Sequence, residues 1–131
     1  MHIMVILLKE GGSVDSESLL GHIAIADGRQ TVKANYTYID SWFDALIRGA
    51  QAIQEGSRSV IDLIDEPEPL IFELSPEEVS ISYGDTTLRV GPFEDFAASL
   101  RCAATLFWEA VCEEVDVTSE ALRNIRVFVS A

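Results

Sequence analysis

The sequence predicts an α+β protein: an antiparallel sheet of several hairpins, with two main helices packed on one face. Three observations lead there. Apolar residues alternate at strand spacing on both sides of three turn signals, Asp27-Gly28, Asp65-Glu66-Pro67-Glu68 and Gly84-Asp85. Two other stretches switch to a period of three or four residues. Close to half of the 131 residues are apolar, well above the range of disordered chains. That length suits a single domain, residues 1–131.

The elements follow in order. Met1 to Leu8 is apolar and then meets Lys9-Glu10-Gly11-Gly12, too short a run for a signal peptide or membrane span, so it is expected to be a first strand. Residues 10–18 are polar and Gly-rich, a loop. Between Leu19 and Tyr38 two strands flank Asp27-Gly28, a two-residue hairpin signal that sets Ile23 opposite Val32 and His22 opposite Lys33. From Ser41 to Glu55 the residues Trp42, Phe43, Leu46, Ile47, Ala50 and Ile53 form one helical stripe. Ser41 with Asp44 resembles a capping box, and Gly56 is the stop.

Two further hairpins are expected. The first pairs Leu63 with Leu70, Ile61 with Phe72 and Ser59 with Leu74; the second pairs Tyr83 with Thr86, Ile81 with Leu88 and Val79 with Val90. Gly91-Pro92 ends the sheet. A long helix follows, with Phe93, Phe96, Leu100, Ala103, Phe107, Ala110 and Val111 on its stripe and Glu94 and Asp95 at its positive end. Thr118 is a cap for a last short helical turn, and residues 125–129 read as a closing strand.

Charge narrows the function. Nine basic residues against 22 acidic give a net charge of −13. Binding to nucleic acid or to an anionic membrane needs Lys and Arg, so neither is expected. A basic protein partner would be steered in. The acids concentrate: residues 59–88 hold Asp62, Asp65, Glu66, Glu68, Glu73, Glu77, Glu78 and Asp85, with no Lys or Arg. The expected pairing puts Asp62 opposite Ile71 and Val60 opposite Glu73, a mixed apolar and acidic face that fits protein binding. Candidate partner-binding residues are Asp62, Asp65, Glu66, Glu68, Ile71 and Glu73.

Signals for chemistry are weak. His2 and His22 are the only histidines, and no metal-ligand spacing of His and Cys occurs. Cys102 and Cys112 lie ten residues apart on one helix, roughly 15 Å, too far for a disulfide. They read as reduced, half-buried packing residues, as in a cytoplasmic protein. Gly11-Gly12-Ser13 lacks the Lys of a phosphate loop. Asp65, Glu66 and Glu68 form at most a loose divalent-cation site, without the oxygen spacing of a calcium loop. No cofactor, metal or catalytic residue is expected. Trp42 is read as core. Trp108 heads a second apolar strip with Cys112 and Val115, read as core ahead of an oligomer contact.

The run Trp42-Phe43-Asp44-Ala45-Leu46, then Gly56, Ile61-Asp62-Leu63-Ile64-Asp65-Glu66-Pro67 and Phe72-Glu73-Leu74 resembles small uncharacterised bacterial α+β proteins. Some of these are immunity partners of secreted toxins. The resemblance covers residues 40–90 and implies a non-enzymatic, acidic module that covers a basic toxin. The alternatives are a structural or accessory homo-oligomer, such as a homodimer, and, last, a small enzyme using carboxylates or a metal.

Overall fold

A computed structural model describes residues 1–9, 19–114 and 119–131. The order is β1 (His2–Leu7), β2 (Leu20–Ala26), β3 (Thr31–Tyr38), α1 (Ile39–Gly56), β4 (Arg58–Ile61), β5 (Leu70–Leu74), β6 (Val79–Tyr83), β7 (Thr86–Arg89), α2 (Phe93–Val111) and α3 (Glu120–Ser130). The α+β class is as expected, with every strand pair antiparallel. The strands divide into two sheets, β1-β2-β3 and β4-β5-β6-β7. The expected loop over residues 10–18 lies outside the described residues, as do Thr118 and Val115.

α1 joins the sheets. It touches β2 in one and β4 and β5 in the other, and it packs on α2 and α3. Its buried stripe contains the predicted Trp42, Phe43, Leu46, Ile47, Ala50 and Ile53. One contact is unusually close: Gly49 lies on the Phe72 ring of β5, where a β-carbon would overlap it. Phe43 stacks on Phe107 of α2 at 4.9 Å between centroids, and Phe72 meets Phe96 at 6.5 Å. Trp42 is fully buried, and its Nε1 donates to Thr37 Oγ1 at 2.9 Å, so the indole enters the core without an orphaned donor.

Two registers differ from the sequence reading by two residues. In the first hairpin Ile25 faces Val32 and Ala24 faces Lys33. The turn is centred one residue later: Asp27 N donates to Gln30 O, and the Asp27 carboxylate accepts from Arg29 N and Gln30 N, each at 2.7 Å. Gly28, at φ 94°, takes the left-handed position. In the second, Ile61 faces Leu70, Ser59 faces Phe72 and Val60 faces Ile71, so the loop lengthens to residues 62–69. Ile64 N is drawn off the ladder to Ser41 Oγ at 3.0 Å, and neither Pro67 nor Pro69 has an N–H to give. A shift of two keeps every side chain on its face, so Ile61, Leu63 and Phe72 are buried as expected. The Gly84-Asp85 hairpin has the expected pairs, and Val90 N donates to Val79 O.

Other expectations are corrected. Ser41 does not cap α1, which begins at Ile39 after Tyr38; Ser41 is buried and holds the 62–69 loop instead. The helix runs to Gly56 as its last residue, and the left-handed cap is Ser57, at φ 59°, rather than the glycine. Residues 125–129 are helical rather than a strand. Ser119 Oγ accepts from Leu122 N, and Leu122 and Ile125 point into the core. The capped three-residue spacing outweighs the β-branched composition. Cys102 and Cys112 are exposed thiols, not packing residues.

Candidate functional site

The carboxylates that cluster in sequence do not stay together. Asp62, Asp65 and Glu68 are exposed on the long β4–β5 loop, Asp65 at φ 58°. Glu66 is partly buried, and its Oε2 accepts from Tyr83 OH at 2.9 Å. Desolvation, then that bond to a carboxylate, pushes the Tyr83 phenol up to about 12. The Tyr83 ring in turn meets Trp42 edge-on at 5.2 Å. Glu66 is therefore a loop anchor, while Asp62, Asp65 and Glu68 face solvent.

Glu73 and Ile71 lie elsewhere, on the outer face of the four-stranded sheet. Arg58 faces Glu73, Val60 faces Ile71, and Ser80, Ser82, Thr87 and Arg89 continue the surface. The expected pairs Asp62–Ile71 and Val60–Glu73 do not form. Arg58 and Arg89 also give that face both signs of charge, and Arg89 Nη1 binds Glu78 Oε1 at 2.8 Å. It is a mixed polar face rather than an acidic one.

Tertiary structure gives Asp62 new companions. A cleft of about 410 Å³ opens where the N-termini of α1 and α3 meet the β4–β5 loop. Among the described residues its wall holds Asp40, Asp44, Asp62 and Glu120, against the single cation Arg48, with Ile64, Ser41, Ser119 and Asn124 between them. Asn124 Nδ2 donates to Asp44 Oδ1 at 2.8 Å, which ties α3 to α1, and Arg48 Nη1 stands 3.5 Å from Asp44 Oδ2. Asp40 Oδ1 is sealed from water and has no hydrogen-bond donor among the described residues. Burial raises the Asp40 carboxyl above its ordinary range, against the lowering effect of backbone N–H donors. Asp40, Asp44 and Glu120 lay outside the sequence prediction. Their positions at helix starts were readable; their approach to Asp62 was not.

The arrangement can attract and orient cationic groups. Among the described residues no group of three or more His, Cys, Asp or Glu is placed to hold a metal ion, and Asp65, Glu66 and Glu68 do not converge on one. His22 Nδ1 accepts from Tyr36 N at a bulge in β3, with the two rings edge-on at 4.8 Å. Trp108 is partly buried against the core. Among the described residues no helix is long and apolar enough to cross a membrane. Comparison with family models, with curated proteins and with solved structures returns no match.

Proposed function

We propose that this protein is a non-enzymatic binding module that covers a basic surface on a protein partner, with neutralisation of a basic toxin as its sharpest form. One observation carries the reading. Asp62, at the head of the exposed β4–β5 loop that also carries Asp65 and Glu68, lines the cleft with Asp40, Asp44 and Glu120, so that acids from three elements border one surface with Arg48 the one cation among its described lining residues. Carboxylates so placed steer a cationic partner and fix its orientation. Ile64, exposed on the same loop, supplies apolar contact beside them. The toxin-neutralising form of the reading follows from the resemblance of residues 40–90 to small bacterial α+β proteins, some of which are immunity partners of toxins.

The test is capture on the immobilised protein at low and then high salt, beside the triple variant Asp62→Lys, Asp65→Lys, Glu68→Lys. Glu66 is left intact because it anchors Tyr83. The expected result is a stoichiometric basic protein that salt releases and the variant fails to hold. Retention unchanged by the three reversals would place the partner elsewhere and reject the acidic loop as the site.

A further inference from the structure

Among the described residues β1 is an edge strand that carries none of the usual blunting devices within its own six residues. β2 is its only strand neighbour among the described residues. Leu8 N donates to Leu20 O at 2.9 Å, in register with the His2–Ala26 pairing, so the even-numbered residues of β1 bond to β2. Backbone groups alternate sides along a strand, which leaves the N–H and C=O of Ile3, Val5 and Leu7 aimed at the open edge. Edge strands that remain unpaired are blunted by charge, proline, a bulge or shortness. β1 runs six residues, and no Asp, Glu, Lys, Arg or Pro occurs from position 1 to 8. The opposite outer edge, β4, is shorter, carries Arg58 and runs into Asp62.

Both faces of β1 are apolar as well. On the outer face Met4 is 54% and Ile6 64% exposed. On the inner face Ile3, Val5 and Leu7 line a groove of about 290 Å³ with Phe107 and Leu106 of α2, Lys9 is the one charged residue on its described wall, and Leu106 is 64% exposed.

We propose that β1 pairs antiparallel with β1 of a second copy of this chain, forming a two-fold dimer with one continuous six-stranded sheet. Charge selects this occupant. A basic partner gains nothing at a strand without carboxylates, whereas a strand that is uncharged and apolar on both faces is complementary to it, and β1 is itself such a strand. Bonding parity agrees. Odd-numbered residues must meet odd-numbered ones, and setting Val5 against the partner's Val5 places Ile3 against the partner's Leu7. Met4 then falls beside the partner's Ile6 on the outer face, and the helices of both copies lie on one side of the sheet. The two Leu106 side chains come together over the junction. Eight of the 22 acids, those of residues 59–88, belong to the other sheet and its loops, so their repulsion acts across a distance that salt screens, while Glu109 on α2 stands nearer the junction and adds to the dimer's dependence on salt.

Light scattering across micromolar concentrations, at low and high salt, tests this together with amide exchange. The expected mass is twice that of the chain, with dimer favoured by salt, the opposite of the salt response of a basic partner. Met4→Lys and Ile6→Lys change exposed side chains and are expected to give folded monomers by circular dichroism. In the unmodified chain the amides of Ile3, Val5 and Leu7 gain protection as concentration rises, a readout that does not depend on a variant folding. A monomer at every concentration overturns the proposal, as does a dimer that Ile6→Lys leaves intact or whose odd-numbered β1 amides exchange freely.

Discussion

The two sheets differ in how completely this chain covers them. The four-stranded sheet is the better covered. Its inner face presses Phe72 onto Gly49 of α1, and its outer face is mixed, with Val60 across from Ile71 but Arg58 across from Glu73 and Arg89 bound to Glu78. The three-stranded sheet thins toward β1, where Ile3, Val5 and Leu7 are only half-buried and Met4 and Ile6 face outward. The difference teaches that one core can close tightly at one end and leave apolar surface at the other. It also separates two kinds of recognition, an acidic cleft suited to cations and a neutral edge suited to another strand.

The largest effect is expected where packing is closest. Phe72→Ala should cost about 3–5 kcal/mol in denaturant unfolding, as truncation of a fully buried aromatic does. Val5→Ala, at the open end, should cost about 1 kcal/mol in the monomer, because two methyl groups leave a half-buried site. Equal losses at the two positions would break the contrast between the sheets.

Gly49→Ala comes next. Alanine favours the helix by about 1 kcal/mol, but its β-carbon overlaps Phe72, and overpacking a core typically costs about 1–3 kcal/mol. Net destabilisation is expected in the same unfolding assay, and it should shrink when Phe72 is replaced by Leu. A double-mutant cycle reads the coupling.

Asp40→Asn should act in the opposite direction. Burial raises the Asp40 carboxyl, so the fold favours its protonated form. The ionised form's penalty is absent in acid and sets in as pH rises through the raised folded value. The variant should therefore melt higher than the parent at neutral pH, with the gain vanishing at low pH, while partner capture weakens. A lower melting temperature at neutral pH would show that the carboxylate holds the helix start rather than waiting for a cation.

The smallest effect concerns the seam between the sheets. Asp27 Oδ2 accepts from Arg89 N of β7 at 2.9 Å, and with Gln30 N and Arg29 N this holds the carboxyl down to about 2. A lowered value means stability that is present above the ordinary 3.8 and lost as pH falls toward about 2. Carbon-detected titration of Asp27 should give a midpoint near that value, and Asp27→Asn should flatten the acid limb of the stability profile. An ordinary midpoint would mean that the seam is open in solution.

Much of the fold was legible because periodicity is local. The stripe of α1, the stripe of α2 except that Ala104 is buried and the expected Ala110 is exposed, and the Gly84-Asp85 hairpin follow from residues a few positions apart. The two misjudged registers were each displaced by two residues, which alternation cannot detect, since it returns each side chain to the same face. Residues 125–129 misled through their β-branched composition, although Ser119 three residues ahead of Leu122 signals a helix start. At the candidate site, Asp62, Asp65 and Glu68 could be found as unpaired acids, but Glu66 could not be recognised as an anchor, because Tyr83 lies 17 residues away.

By itself, then, the sequence determined the class of the fold, the inward face of nearly every element and the charge of the molecule, since these depend on spacing along the chain and on composition. Tertiary structure alone decided that the strands form two sheets, that α1 serves both, that Asp40, Asp44 and Glu120 join Asp62 at one cleft, and that β1 has β2 as its one strand neighbour among the described residues. Such juxtapositions arise from long-range packing, where contacts such as Gly49 on Phe72 and Asn124 on Asp44 choose among arrangements that local pattern leaves equal.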